Sequence, residues 1–265
     1  MGKLIGLLYS AVAYVFFVGS FLYAVGWLGD VPGLPTTIDG QPGRSALEAL
    51  GIDIALLSLF AVQHSVMARP AFKKLWTRIV PQSAERATYV LFSSACLLAV
   101  CLEWQTLPGT LWRLTGAAAK VAWAGFALGW LVAFASTFMV DHFELFGLRQ
   151  SLRHFRGREL QPPGFRERYL YRIVRHPLML GFLIAFWSAP SMTSGRFAFA
   201  LITTAYILVA LQLEERDLRR ALGAQYEAYQ ERVPMLVPGL GRREQRTAPA
   251  IPAGPHEHPH PHRNC

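Results

Sequence analysis

Four apolar stretches, roughly 4–28, 47–68, 88–107 and 121–140, constrain this 265-residue chain more than any motif in it. Each is long enough to cross a ~30 Å hydrocarbon layer as a helix, which takes about 20 predominantly apolar residues. A helix satisfies its own backbone polar groups, as a segment without surrounding water must. With 52% hydrophobic and only 16% charged residues, the apolar runs leave no stretch for a separate soluble core. The expectation is an all-α integral membrane protein. Its first run has no small-residue cleavage site followed by a polar segment, so it reads as a retained helix and not as a removed signal peptide.

The formal net charge of +9 lies between the apolar runs instead of striping one soluble face, which argues against nucleic acid as a partner. Arg69, Lys73, Lys74, Arg78 and Arg86 separate the second and third runs, and a denser set from Arg149 to Arg175 follows the fourth. Segment 103–120 is poor in positive charge. Because cytoplasmic loops carry the Lys/Arg excess, both basic segments and the N-terminus are expected in the cytoplasm. The basic 149–175 segment is also suited to anionic headgroups of the lipid bilayer.

After Pro177 the apolar run lasts only to about 189, and a helix of that length rises about 20 Å, short of a full crossing. Paired with roughly 196–213, it is expected to form a helical hairpin that dips in and returns to the cytoplasmic side. That makes about five to six transmembrane helices including the hairpin, followed by a cytoplasmic interfacial helix, with both termini cytoplasmic. The organisation reads as N-terminal transmembrane helices over 1–140, a cytoplasmic loop, hairpin and C-terminal helices over 141–246, and a Pro/His-rich tail over 247–265. The tail is expected to be disordered, and no structural metal is expected. Cys96 and Cys101, five residues apart in one run, face different sides of a helix and read as packing residues.

Chemistry is concentrated at the two ends of the hairpin. "RHPLMLG", 175–181, places Arg175 and His176 at its entrance, and "EERDLRRALGAQYEAYQERVPMLVP", 214–238, follows its exit. At helical spacing Glu215, Arg219, Leu222, Tyr226, Tyr229 and Val233 form one stripe that mixes a carboxylate, a guanidinium and two phenols. An ordinary i,i+4 ion pair and interfacial tyrosines account for such a stripe as well. The hairpin, however, brings Arg175 and His176 beside Glu214, Glu215 and Arg219, and ionisable groups converging at a membrane boundary are commonly paired or functional.

These two motifs, in this order, resemble the isoprenylcysteine carboxyl methyltransferase-like superfamily: Arg-His-Pro with Gly four residues after the Pro, then Glu-Glu, Gly-x-x-Tyr-x-x-Tyr and Val-Pro. The likeness covers roughly the last ninety residues before the tail. With "FAVQHSVMARPAF" and "DHFELFGLRQ", the chain looks most like the methanethiol S-methyltransferase branch; the NnrU-like group shares the upstream His-Ser…Arg-Pro feature. Met179 stands where many prenylcysteine methylating members have Tyr, which favours a small-thiol acceptor. The resemblance implies S-adenosyl-L-methionine as donor, held by Arg175, His176, Pro177, Gly181, Glu214, Glu215, Tyr226 and Tyr229 in a pocket without a Rossmann domain. The chain has no Gly-x-Gly-x-x-Gly loop.

On that implication, Arg175 or Arg219 is suited to the donor's carboxylate and Glu214 or Glu215 to its amine or ribose. A thiol attacks as the thiolate, so a base or cation is also needed. Arg175, His176 and His142 are the candidates, with His64 a further one against a core hydrogen bond. The expected acceptor is methanethiol, giving dimethyl sulfide, or another small thiol such as hydrogen sulfide. An isoprenylcysteine-type carboxylate acceptor and a non-catalytic membrane binding or assembly role stand as alternatives. Oligomeric state is not legible from the sequence.

Overall fold

The computed structural model describes residues 2–158 and 167–239; the expected disordered tail lies outside the described residues. The helices are α1 (Gly2–Leu28), α2 (Ala46–Ala68), α3 (Pro70–Trp76), α4 (Glu85–Glu103), α5 (Gly116–Val140), α6 (His142–Leu145), α7 (Leu148–Phe155), α8 (Pro177–Trp187), α9 (Ser194–Leu222) and α10 (Ala224–Arg232). Two short strands, β1 (Thr110–Arg113) and β2 (Ser191–Thr193), precede α5 and α9 respectively. Among the described residues α1, α2, α4, α5 and α9 are long and apolar enough to cross a membrane, and α8 is a shorter apolar helix. The protein is an all-α integral membrane protein.

Local chemistry explains several boundaries. Ser45 and Glu48 form a reciprocal capping box that starts α2. α4 stops at Glu103, four residues before the apolar run ends. Trp104 turns extended there, the Gln105 amide donates to Asp53 Oδ1 at 2.8 Å, and Pro108 disfavours a helical Leu107. Each basic segment contains a helix that its charge density concealed, α3 between α2 and α4 and α7 after α5, and the one-turn α6 precedes α7.

The expected hairpin is α8 and α9, and its turn reaches the connection between α4 and α5. β1 and β2 pair antiparallel with Thr110 opposite Thr193, and the Leu114 amide donates to Pro190 O at 2.8 Å. Extended residues thus complete the path that eleven helical residues leave short.

α8 lies directly against α5, and small residues make this possible. A Cβ on Gly129 would stand 2.4 Å from the Ala185 nitrogen, and one on Gly181 would stand 2.5 Å from the Ala133 nitrogen. Interlocked Gly129, Ala133, Gly181 and Ala185 therefore bring two backbones into contact, the device that substitutes for hydrophobic drive between helices in lipid.

The bundle has two unlike ends. At one, Trp27, Trp104 and Phe199 meet edge-to-face with centroids 5.6–5.8 Å apart, over a completely buried Ile38. Arg196, at the start of α9, is sealed there: it donates to Asp39 Oδ2 at 2.7 Å, to Leu28 O at 2.6 Å and to Asp30. This knot ties the end of α1 to the hairpin turn. The other end holds the start of α1, the end of α2 and the basic segments, joined by Tyr9–Thr88 and Ser10–Ser151 hydrogen bonds.

Gly129→Ala drives a methyl into the α8 backbone, so it should destabilise the protein by about 1–3 kcal/mol, the usual scale of overpacking. Arg196→Met strands two carboxylates and should cost about 3–5 kcal/mol. Thermal unfolding in detergent checks both; wild-type midpoints would mean that these contacts do not hold the bundle.

Candidate functional site

The helical stripe expected from 215 to 233 is broken, and the break creates the site. Gly223 has φ +55° and ψ −135°, a conformation available essentially to glycine, so α9 ends at Leu222 and α10 folds back. On one continuous helix, Glu215 and Tyr226 would be about 16 Å apart along the axis. In the folded chain Tyr226 Oη donates to Glu215 Oε1 at 2.9 Å.

Glu215 is the centre of this arrangement and is only 4% exposed. Its Oε1 also accepts from Arg175 Nε at 2.8 Å and His176 Nε2 at 2.7 Å, while Oε2 accepts from Gln230 Nε2. The two entrance residues are held by backbone as well. The Arg175 amide donates to Pro234 O at 2.9 Å and the His176 amide to Met235 O at 3.1 Å. Arg175 Nη1 donates to the carbonyls of Gln230 and Val233, at 3.1 and 2.6 Å. Three separated segments therefore converge on one carboxylate.

The RHP sequence suits this position. A residue before proline is pushed out of helical conformation, and His176 has φ −125° and ψ 65° with its ring free of any cap bond. Pro177 then begins α8 where its missing N–H costs nothing. The imidazole is thereby aimed off the helix end at Glu215.

Beside the saturated Glu215, Glu214 keeps its side chain half exposed, with Oε2 3.8 Å from His176 Nδ1. Tyr171 lies close enough for the Glu214 charge to act on it: burial, then Glu214, pushes its phenol up to about 12. Burial, followed by Glu215, likewise raises Tyr226, and burial, followed by Glu167, raises Tyr229. All three phenols stay neutral donors at physiological pH. Tyr229 Oη donates to Tyr171 O at 2.5 Å, locking α10 to the 3-10 turn at 169–172.

The structure brings together Arg175, His176, Pro177, Glu214, Glu215, Tyr226 and Tyr229 of the residues singled out by sequence. Arg219 is exposed and makes no side-chain ion pair or hydrogen bond to the described residues. Gly181 lies in the α5–α8 contact. His142 is elsewhere: Thr137 Oγ1 donates to Phe134 O and is 2.7 Å from Nδ1, so Nδ1 carries the proton, and Tyr14 Oη donates to Nε2 at 2.8 Å. With Phe138 stacked at 4.2 Å, both ring nitrogens of His142 are engaged and burial lowers its basicity. Its visible work is to fasten α1 to α5 and α6. Sequence reading missed Gln230 and Tyr171. Gln230 was accessible in principle, since it is one helical turn after Tyr226; Tyr171 carried no signal.

A donor with an amino acid end, a ribose and a sulfonium needs an available carboxylate, hydrogen-bond donors and aromatic surface. Glu214, His176 Nδ1 and the surrounding phenols match that chemistry, whereas Glu215 is already fully committed. Arg175 keeps Nη2 without a partner among the described residues.

Removing the Glu215 side chain as Glu215→Ala leaves the buried Arg175 uncompensated and should cost about 3–5 kcal/mol, with Tyr226→Phe costing about 0.5–1.5 kcal/mol. Hydrogen exchange should rise across 224–236 in both, more in the first. Unchanged protection there would show that Glu215 does not hold α10.

Comparison with known proteins identifies the family. The chain matches the family described as NnrU protein over residues 53–230. It is 53% identical to Methanethiol S-methyltransferase 2 of Bradyrhizobium diazoefficiens over 90% of this chain and 92% of that protein. It is 49% identical to Methanethiol S-methyltransferase of Mycobacterium tuberculosis over 90% and 98% of the respective lengths. Nurim of Mus musculus is 35% identical over 66% of this chain and 70% of its own. No solved structure matches.

Proposed function

The chain belongs to the NnrU family, and we propose that it transfers the methyl group of S-adenosyl-L-methionine to methanethiol, giving dimethyl sulfide. The observation that carries this reading is near full-length identity of about half to proteins named methanethiol S-methyltransferase. The cluster around Glu215 supports it chemically.

In this reading Glu215 is the scaffold and Glu214 the contact. Glu215 orients Arg175 and His176, whose Nη2 and Nδ1 make no hydrogen bond to the described residues. Arg175 Nη2 offers a donor to the carboxylate of the amino acid end, and the half-exposed Glu214 an acceptor to its amine or to the ribose. Tyr226 and Tyr229 stay neutral and keep α10 closed over the site. When bound, S-adenosyl-L-methionine supplies the electrophilic methyl group. The chain's own task is positioning, since holding reactants in line and excluding water supplies much of the acceleration of such a displacement. Pro177 fixes where α8 begins and so where His176 points, while Gly181 acts at one remove by letting α8 seat on α5.

The end of the bundle that holds the site also carries the basic segments, which supports placing it, with the N-terminus, on the cytoplasmic side. A water-soluble donor would enter there, and a small apolar thiol would arrive through the bilayer.

Purified protein in detergent, given methyl-labelled S-adenosyl-L-methionine and methanethiol, should release labelled dimethyl sulfide to the headspace. Glu214→Ala and His176→Ala should lower donor affinity or turnover at least about tenfold, as expected for loss of a charge-assisted contact. Normal methylation in both variants would sink the assigned site. Donor binding without dimethyl sulfide from the wild type would move the acceptor to larger or carboxylate compounds.

A further inference from the structure

The motif "QHSVMAR", 63–69, lies outside the Glu215 cluster, yet the fold fastens it to the same stretch of α9. Arg69 Nη1 pairs with Asp217 Oδ2 at 2.7 Å, and Ser65 Oγ is 3.2 Å from Tyr206 Oη. Glu214 lies on α9 between these two ties. On the α4 side, Tyr89 Oη is 2.9 Å from His64 Nε2 and 3.1 Å from Nδ1, and Ser93 Oγ is 3.2 Å from Nδ1. Phe60, one turn before His64 on α2, meets the Tyr206 ring at 6.4 Å. A phenol–imidazole pair therefore lies in the α2–α4 contact, where α2 is tied to α9 on either side of Glu214 in sequence.

Two features separate this group from an ordinary core hydrogen bond. At the opposite end of the bundle the buried Arg196 is charge-compensated by Asp30 and Asp39. His64, Tyr89, Ser93 and Tyr206, by contrast, all remain half-buried along a polar seam inside spanning helices. His64 also has no acidic partner within ion-pair distance among the described residues, so its ring is held by hydroxyls that can pass a proton without trapping it. Phe60 stacks on the imidazole at 5.2 Å and supplies an apolar wall. Ionisable groups placed within spanning segments are costly and mark functional paths.

We infer that His64 and Tyr89 form the acceptor subsite, where a small alkanethiol binds against Phe60 and loses its proton. This rests on the methyltransferase reading. The thiol S–H bond breaks towards Tyr89 Oη as the Tyr89 hydroxyl proton moves to neutral His64, leaving imidazolium and a thiolate. The sulfur pair so freed forms the new S–C bond, while the electron pair of the broken C–S bond stays on the donor's sulfur. Both products are neutral thioethers, and the single proton left on His64 returns to water. Tyr89 touches the substrate and is the catalytic residue; His64 acts through it, and Ser93 orients the ring.

The test compares methanethiol with trifluoroethanethiol, a small thiol whose fluorines make it far more readily ionised. Tyr89→Phe and His64→Gln should lower kcat/KM for methanethiol by about 100-fold or more, the range of lost general base catalysis, and by only a few-fold for the acidic thiol. Donor affinity measured by calorimetry should stay at the wild-type value. Retained turnover of the acidic thiol also reports that each variant is folded. Equal losses with both thiols, or full activity with methanethiol, would overturn the assignment. Absence of dimethyl sulfide from the wild type would instead remove the functional reading on which it stands.

Discussion

The carboxylate of Glu215 is the contact on which the rest of the site depends. A buried charge is tolerated only when its attraction and hydrogen bonds offset the loss of water. Here one side chain takes donors from Arg175, His176, Tyr226 and Gln230. Those donors come from the entrance of α8 and from α10, so satisfying one charge fixes the relative position of elements that share little apolar surface. Val233, Leu218 and Leu222 then pack beneath Tyr226 and Tyr229 and keep water away.

The two ends of the bundle solve the same electrostatic problem to different purposes. Arg196 is buried and, with Asp30, Asp39 and the Leu28 carbonyl, holds the hairpin turn against the end of α1. At the opposite end the central carboxylate is saturated, but its neighbour Glu214 and the outer atoms of Arg175 and His176 keep spare hydrogen-bonding capacity. A rigid buried centre with available groups at its edge suits a site that must bind a polar molecule without reorganising.

Much of this was legible in the chain. Apolar run length gives the five long helices, and the terminal excess of Arg and Lys predicts which ends lie together. Pro177 and the capping pair Ser45–Glu48 mark helix starts through local stereochemistry alone. The RHP and Glu-Glu motifs name most of the Glu215 cluster. Less legible were α7 and α3, whose apolar contacts are hidden by surrounding arginines and lysines, and Arg219, which periodicity put with Glu215 although α9 turns it to solvent.

By itself, then, the sequence determined the membrane class, the hairpin and the chemical types at its two ends, because hydropathy and proline stereochemistry act over a few residues. Only the tertiary structure decided which of those groups meet. Gly223 folds α10 back and brings Tyr226 onto Glu215. Gly129 and Gly181 let α8 seat against α5. The tie of Arg69 to Asp217 fastens the end of α2 to α9. Each of these joins residues far apart in the chain, and no local propensity records such a pairing.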